Sequence, residues 1–472
     1  MMLESEKGIA EWRAGAGRGS RMWRCIYSPA TLRAVTQSAS PTPERRSGNR
    51  RPHTTLLPAS LSPRPQNLAW SFGTNMSSSS PSLLLNLPAE IREEIFSHVL
   101  DARAARVELP DDYVAYRFDL ALFQVNRQVY REARHVFYRL NTFVRINTPW
   151  PEARHHITEE GRVPVAVSGE KAESFRHVHL LADIEPFQFH QHFETSYNMI
   201  VLVDDLPAFC KIWCYSDLTH PGLNAHLRLT LTLQNPHATE DEDQVVPKSL
   251  QQRLLEPFGC VKSLHETRFL GQYDESVVKS LRAAQDTPNE SPEECLEKAT
   301  RLKDAGNAAL KKNEPKEAIR LYEEAFLALH IVCSGRRRSI FGNAHFETIL
   351  SSGQYESQHG QLVRLILRVK LVANIMQAYI KMEEWKEVEF WGTRSIQLLR
   401  ESMGMDPGDE DDEPMLGFAA ANEMGKIYYR TGLACKYLED TERARKLLRV
   451  AHRYLPRDPQ VGKDLASVAL RI

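Results

Sequence analysis

Leu302-Lys-Asp-Ala-Gly-Asn-Ala-Ala-Leu310, followed by Ala318, Tyr322 and Ala325, is the stretch that decides the fold of the C-terminal third. Small residues at these places let two antiparallel helices approach closely and let a further pair stack on them. The pattern returns twice: Asn374 to Tyr379 is followed by Val388 and Ser395, and Lys426 to Gly432 by Ala444, Leu448, Ala451 and Pro456. Ser291, with Glu294 three residues on, has the spacing of a capping box and marks where this run of helices begins. Three stacked pairs reach the minimum for a continuous core, with the residues after Pro456 as a capping helix.

This pattern resembles the tetratricopeptide repeat, whose period is about 34 residues. Ala318 and Val388 are 70 residues apart and Val388 and Ala444 are 56 apart, which leaves insertions of 36 and 22. The second is expected to hold the acidic run Asp406–Pro414, and the first to lengthen helices or form a loop around Ser334–Gly360.

Five polar residues lie on the inner helices of these pairs. Lys303 and Asn307 are four apart and share a face; Asn374 lies fourteen residues before Val388. Lys426 and Arg430 are again four apart, and Arg430 is fourteen before Ala444. Two Lys, one Arg and two Asn in one groove would converge on an anion, and a chain-terminal aspartate offers them two carboxylates. The set resembles the dicarboxylate clamp of co-chaperone tetratricopeptide domains. That resemblance implies an adaptor that binds the Glu-Glu-Val-Asp tails of seventy- or ninety-kilodalton heat-shock chaperones.

Upstream, Leu83 to Leu100 reads as a short helix with Pro88 near its first turn and an apolar stripe of Ile91, Ile95, Phe96, Val99 and Leu100. A second helix, Leu122 to Leu140, leads through Asn141-Thr142 to a strand at Phe143–Ile146. Leu87-Pro88-x-Glu90-Ile91, with Ile95 and Leu100, resembles the opening of an F-box, and Val125 to Ala133 is similar to the F-box-like region common in filamentous-fungal proteins. The resemblance implies that Leu87, Pro88, Ile91 and Ile95 dock on the Skp adaptor of a cullin–RING ubiquitin ligase, with the repeats selecting the substrate. The chain departs from the F-box pattern in lacking the compact third helix with its Cys-x-x-Trp ending.

Residues 165–290 alternate between strand and helix: strands at Arg176–Ile184, His226–Gln234 and Glu266–Leu270, helices at Met199–Tyr215, Gln251–Phe258 and Asp274–Ala284. A small α/β layer is expected. Cys210 and Cys214 near His220, and the pairs His177/His179 and His190/His192, have ligand-like spacing. A structural zinc site normally takes four ligands, so these residues read as packed or solvated.

The chain is therefore expected to be mainly α: a disordered basic leader at 1–80, an F-box-like segment at 83–146, the α/β region at 165–290 and an all-α repeat solenoid at 291–472. Lys plus Arg is 60 and Asp plus Glu 61, a balance with no global field for nucleic acid or membrane. The first 75 residues carry 11 basic and 4 acidic residues, are rich in Ser, Pro and Gly, and lack the apolar core of a secretory signal. Seven scattered cysteines fit a reducing compartment, cytoplasmic or nuclear. No phosphate loop, dinucleotide fingerprint, nucleophile elbow or metalloprotease motif occurs, so no catalytic, cofactor or metal residues are expected and the protein reads as a non-enzyme.

Overall fold

The computed structural model describes residues 83–109, 113–150, 152–187, 197–238, 245–402 and 414–468. The basic leader, the His190/His192 pair and Asp406–Glu413 lie outside them.

Helix α1 (Ala89–Leu100) starts directly after Pro88, later than the Leu83 start expected. It packs on α2 (Arg127–Leu140), whose first turn is closed by Asn126, the Oδ1 of which accepts from the amides of Gln128 and Val129. That cap separates α2 from a 3₁₀ turn at Ala121–Gln124 and splits the single helix expected. Phe96 and Leu100 are sealed between the helices, and Arg92 pairs with Glu132 across them. Buried Asn141 ties their ends together. Its amide donates to the carbonyls of Leu100 and Phe137, and its oxygen accepts from Ala102, so backbone groups left over at two helix termini are satisfied by one side chain.

A six-stranded mixed sheet follows: β1 (Phe143–Thr148), β2 (Val167–Ser168), β3 (Leu180–Pro186), β4 (Tyr197–Leu202), β5 (Leu227–Leu233) and β6 (Glu266–Leu270), in the order β2-β4-β1-β3-β5-β6. Strands β1 and β3, and β5 and β6, run parallel; the other neighbours run antiparallel. The strand that ends the F-box-like segment is thus central to this sheet. Leu227, Leu229, Leu231 and Leu233 alternate inward from β5, each worth roughly 1.5–3 kcal/mol of burial.

Met199–Tyr215, expected as one helix, is instead strand β4 followed by α3 (Leu206–Thr219). Every residue of β4 is buried, so its side chains show no alternation. Over six residues such a run looks the same in a strand and a buried helix. Helices α4 (Lys248–Leu255) and α5 (Glu275–Asp286) complete the layer, with Leu254, Phe258 and Leu281 in the same core as β5 and α3.

From Ser291, whose capping box is present as expected, the chain forms helix pairs: α6 (Pro292–Lys311) with α7 (Pro315–Ala328), α8 (Gly360–Lys381) with α9 (Trp385–Ser402), and α10 (Ala421–Tyr437) with α11 (Thr441–Tyr454), closed by α12 (Pro459–Ser467). Each pair turns through one residue of positive φ: Asn313, Glu383 and Glu439, every one five residues before its anchor Ala318, Val388 or Ala444. The turns share a hydrogen bond, from Glu314 to Ala309, Glu384 to Tyr379 and Asp440 to Cys435. Three in-phase turns with one bonding pattern establish the repeat. Glycine is required where helices meet: a Cβ on Gly306 would lie 2.4 Å from the Tyr322 ring.

The repeat is not all helical. The first insertion is a β-hairpin, β7 (Ile331–Ser334) with β8 (Arg337–Ile340), followed by 3₁₀ turns at Ala344–Phe346 and Gly353–Tyr355. It seats Phe341 in the core of the sheet, and the Gly342 amide donates to Thr219 of α3 (2.6 Å). Tyr215 of α3 donates to the Leu327 carbonyl (2.9 Å). The α/β layer and the repeats therefore share packing through the insertion.

Candidate functional site

The inner helices α6, α8 and α10 bring together three of the five clamp residues. Asn307 Oδ1 accepts from Asn374 Nδ2 and from the Tyr322 hydroxyl, both at 2.8 Å, across 67 and 15 residues of sequence. Arg430 reaches the same place from α10, donating to the carbonyl of Ala373, next to Asn374. Tyr322 was legible as a packing residue; its role in orienting the Asn307 amide is a tertiary fact.

Lys426 lies one turn before Arg430 and is half-buried. Lys303 lies one turn before Asn307 and pairs with its neighbour Asp304 (2.9 Å). Neither Lys426 nor Arg430 has a carboxylate partner among the described residues. Burial pulls the Arg430 guanidinium down to about 10, opposed by the Tyr429 and Tyr322 hydroxyls nearby, so it stays charged at neutral pH. A desolvated cation held only by a carbonyl gains from an incoming carboxylate, which supplies the missing counter-charge and charge-assisted hydrogen bonds.

The four docking residues fall at the other end of the chain. Leu87 is 36% exposed, and on α1 Ile91 and Ile95 are 50% and 39% exposed while Phe96 and Leu100 are fully buried. Ile91 and Ile95 thus do not serve the core between α1 and α2, although they belong to the same sequence stripe. Cys210 and Cys214 are buried in α3; Cys214 lies beside Cys260, and burial raises the Cys210 thiol. His177 and His179 come together with His237, with ring centroids 4.6–6.0 Å apart, and burial lowers His177 and His179 to about 4.

No family model matches the chain, and no curated protein matches it. Among solved structures, the C-terminal TPR-containing domain of a Plasmodium falciparum protein described as FK506-binding is similar over 38% of this chain and 91% of its own, at 17% identity and a TM-score of 0.25. The repeat architecture rests on the three in-phase turns, not on that likeness. Among the described residues, no helix is long and apolar enough to cross a membrane.

Proposed function

We propose that this chain is a non-enzymatic adaptor whose tetratricopeptide-type repeats bind the acidic C-terminal tails of heat-shock chaperones through Lys303, Asn307, Asn374, Lys426 and Arg430. The observation that carries this reading is the meeting of Asn307, Asn374 and Arg430 from three separate repeats, with the arginine lacking a carboxylate partner among the described residues. The amides orient, the cations supply charge, and a terminal aspartate presents two carboxylates to them.

The test is a fluorescence-polarisation titration of the full chain with a short peptide ending Glu-Glu-Val-Asp. Saturable binding should weaken about 10- to 100-fold in Arg430→Ala, as expected for lost charge-assisted hydrogen bonds of roughly 1.5–3 kcal/mol. It should weaken likewise when the peptide carboxylate is amidated. Lys426→Ala, one turn before Arg430 on α10, should also lose affinity. Binding that ignores all three changes refutes the clamp.

A second reading follows from exposed Ile91 and Ile95: a ligase substrate receptor docked through α1, with Leu87 and Pro88 contributing. It predicts that a purified Skp adaptor binds the chain and that Ile91→Glu abolishes binding with the fold intact. An Ile91→Glu chain that binds as well as the parent rejects it.

A further inference from the structure

Cys295 on α6 and His330 and His345 in the first insertion sit 35 and 15 residues apart in sequence, without the paired-knuckle spacing that marks a metal site. The fold nevertheless gathers them. Their ligand atoms lie within 4.8 Å of one another, and Cys295 and His330 are 1% and 6% exposed. Cys295 Sγ is 3.7 Å from His330 Nε2. Zinc bonds of about 2.3 Å to sulfur and 2.0–2.1 Å to nitrogen, at tetrahedral angles, put the two ligand atoms about 3.6 Å apart.

A thiol–imidazole hydrogen bond alone would account for that one contact. It leaves a buried ring nitrogen, His345 Nε2, with no hydrogen-bond partner. That nitrogen is available to coordinate a metal ion. Glu290 places a carboxylate oxygen 4.0 Å from Cys295 Sγ, and a cavity of about 540 Å³ lined in part by Glu290, Lys298 and His330 gives a path of entry.

We infer that Cys295, His330 and His345 form a binding site for a divalent transition-metal ion of zinc type, with the fourth position left to water or to Glu290. Coordination replaces the thiol proton, which leaves to solvent, so the metal binds a thiolate and two neutral imidazoles. Burial already keeps His330 neutral, lowering it to about 2, while it holds the Cys295 thiol protonated, up at about 12. Arg364, Lys211 and Lys298 face the cluster and oppose a cation; Glu290 and Glu293 compensate. The bound ion would pin the β-hairpin insertion to the first helix of the repeats, closing the chain between 295 and 345.

The test uses the full chain, stripped with a chelator and titrated with cobalt(II). One equivalent should bind, with a thiolate-to-cobalt charge-transfer band in the near ultraviolet, and added zinc should displace it. Cys295→Ser should abolish the band, and Cys333→Ser, a control outside the cluster, should keep it. His345→Ala removes a half-buried ligand. With the parent circular-dichroism spectrum, it should lose stoichiometric binding and the rise in melting temperature that zinc gives the parent chain. A folded parent chain without the band, or a band that survives Cys295→Ser, overturns the site.

Discussion

The mixed sheet and the helical repeats bury polar groups in opposite ways. Around the sheet, buried acids take neutral donors at short range, with Arg106 more distant from Asp205 (3.6 Å). The Tyr116 hydroxyl donates to Asp205, Asn147 Nδ2 donates to Asp183 (2.5 Å), and burial raises both carboxyls above the usual range. The repeats bury cations instead. Arg364 donates to the carbonyls of Leu329 (3.0 Å) and Phe341 (2.5 Å) and to Asn343 (2.9 Å), with its guanidinium 4.5 Å from the Phe346 ring centre. Arg338 lies 4.1 Å over Trp391, and Arg430 holds Ala373.

The cause is backbone supply. A ladder consumes the carbonyls of its strands, whereas the helix end at Leu329 and the insertion at Phe341 leave carbonyls that Arg364 satisfies; Arg430 instead shares the mid-helix carbonyl of Ala373. The difference separates an arginine whose donors are all satisfied from one with donors to spare. Arg364 has a partner for each of its three guanidinium nitrogens; Arg430 has one carbonyl and no carboxylate among the described residues.

The largest expected effect tests the apolar side of this contrast. Leu229→Ala, at a fully buried position of β5, should cost about 2–5 kcal/mol in urea denaturation. Arg430→Ala should cost less by the same measurement, since the loss of its one bond to Ala373 is offset by removing a desolvated guanidinium. Comparable losses would break the comparison by making Arg430 a structural residue.

A further effect concerns the histidines beside β3. His177 and His179 are lowered to about 4 in the folded chain, below the ordinary value of about 6.5, so the unfolded chain binds more protons between these values. Stability should be full above pH 6.5, fall as pH drops from 6.5 to 4, and lose nothing more from these groups below that. His177→Phe should flatten the slope in a pH series of urea melts; an unchanged slope would show that the cluster is not desolvated. Arg430 stays protonated through this window.

The smallest effect sharpens the repeat itself. Glu439 adopts φ 67° at a helix end where glycine is favoured, so Glu439→Gly should stabilise the chain by about 1 kcal/mol in thermal unfolding. A loss of stability there would mean the turn is held by the Glu439 side chain.

Much of this was legible in the residues. Small-residue spacing and the Ser291 cap located the repeats, because close helix approach tolerates few alternatives, and alternation marked β3 and β5. Strand β4 was misread because burial on both faces erases the period that separates strand from helix. Within the site, the shared phase of Asn374 and Arg430, each fourteen residues before its anchor, followed from sequence, since repeats carry equal positions to equal places; Asn307, eleven before Ala318, was placed by its face on α6.

The amino-acid sequence by itself thus determined which helices pair, because that follows from local periodicity. Only the tertiary structure decided which of those residues are already satisfied, that Ile91 and Ile95 face away from their own core, and that Cys295, His330 and His345 meet. Those facts depend on contacts between segments tens of residues apart, and the closure of the chain that makes them leaves no periodic trace in sequence.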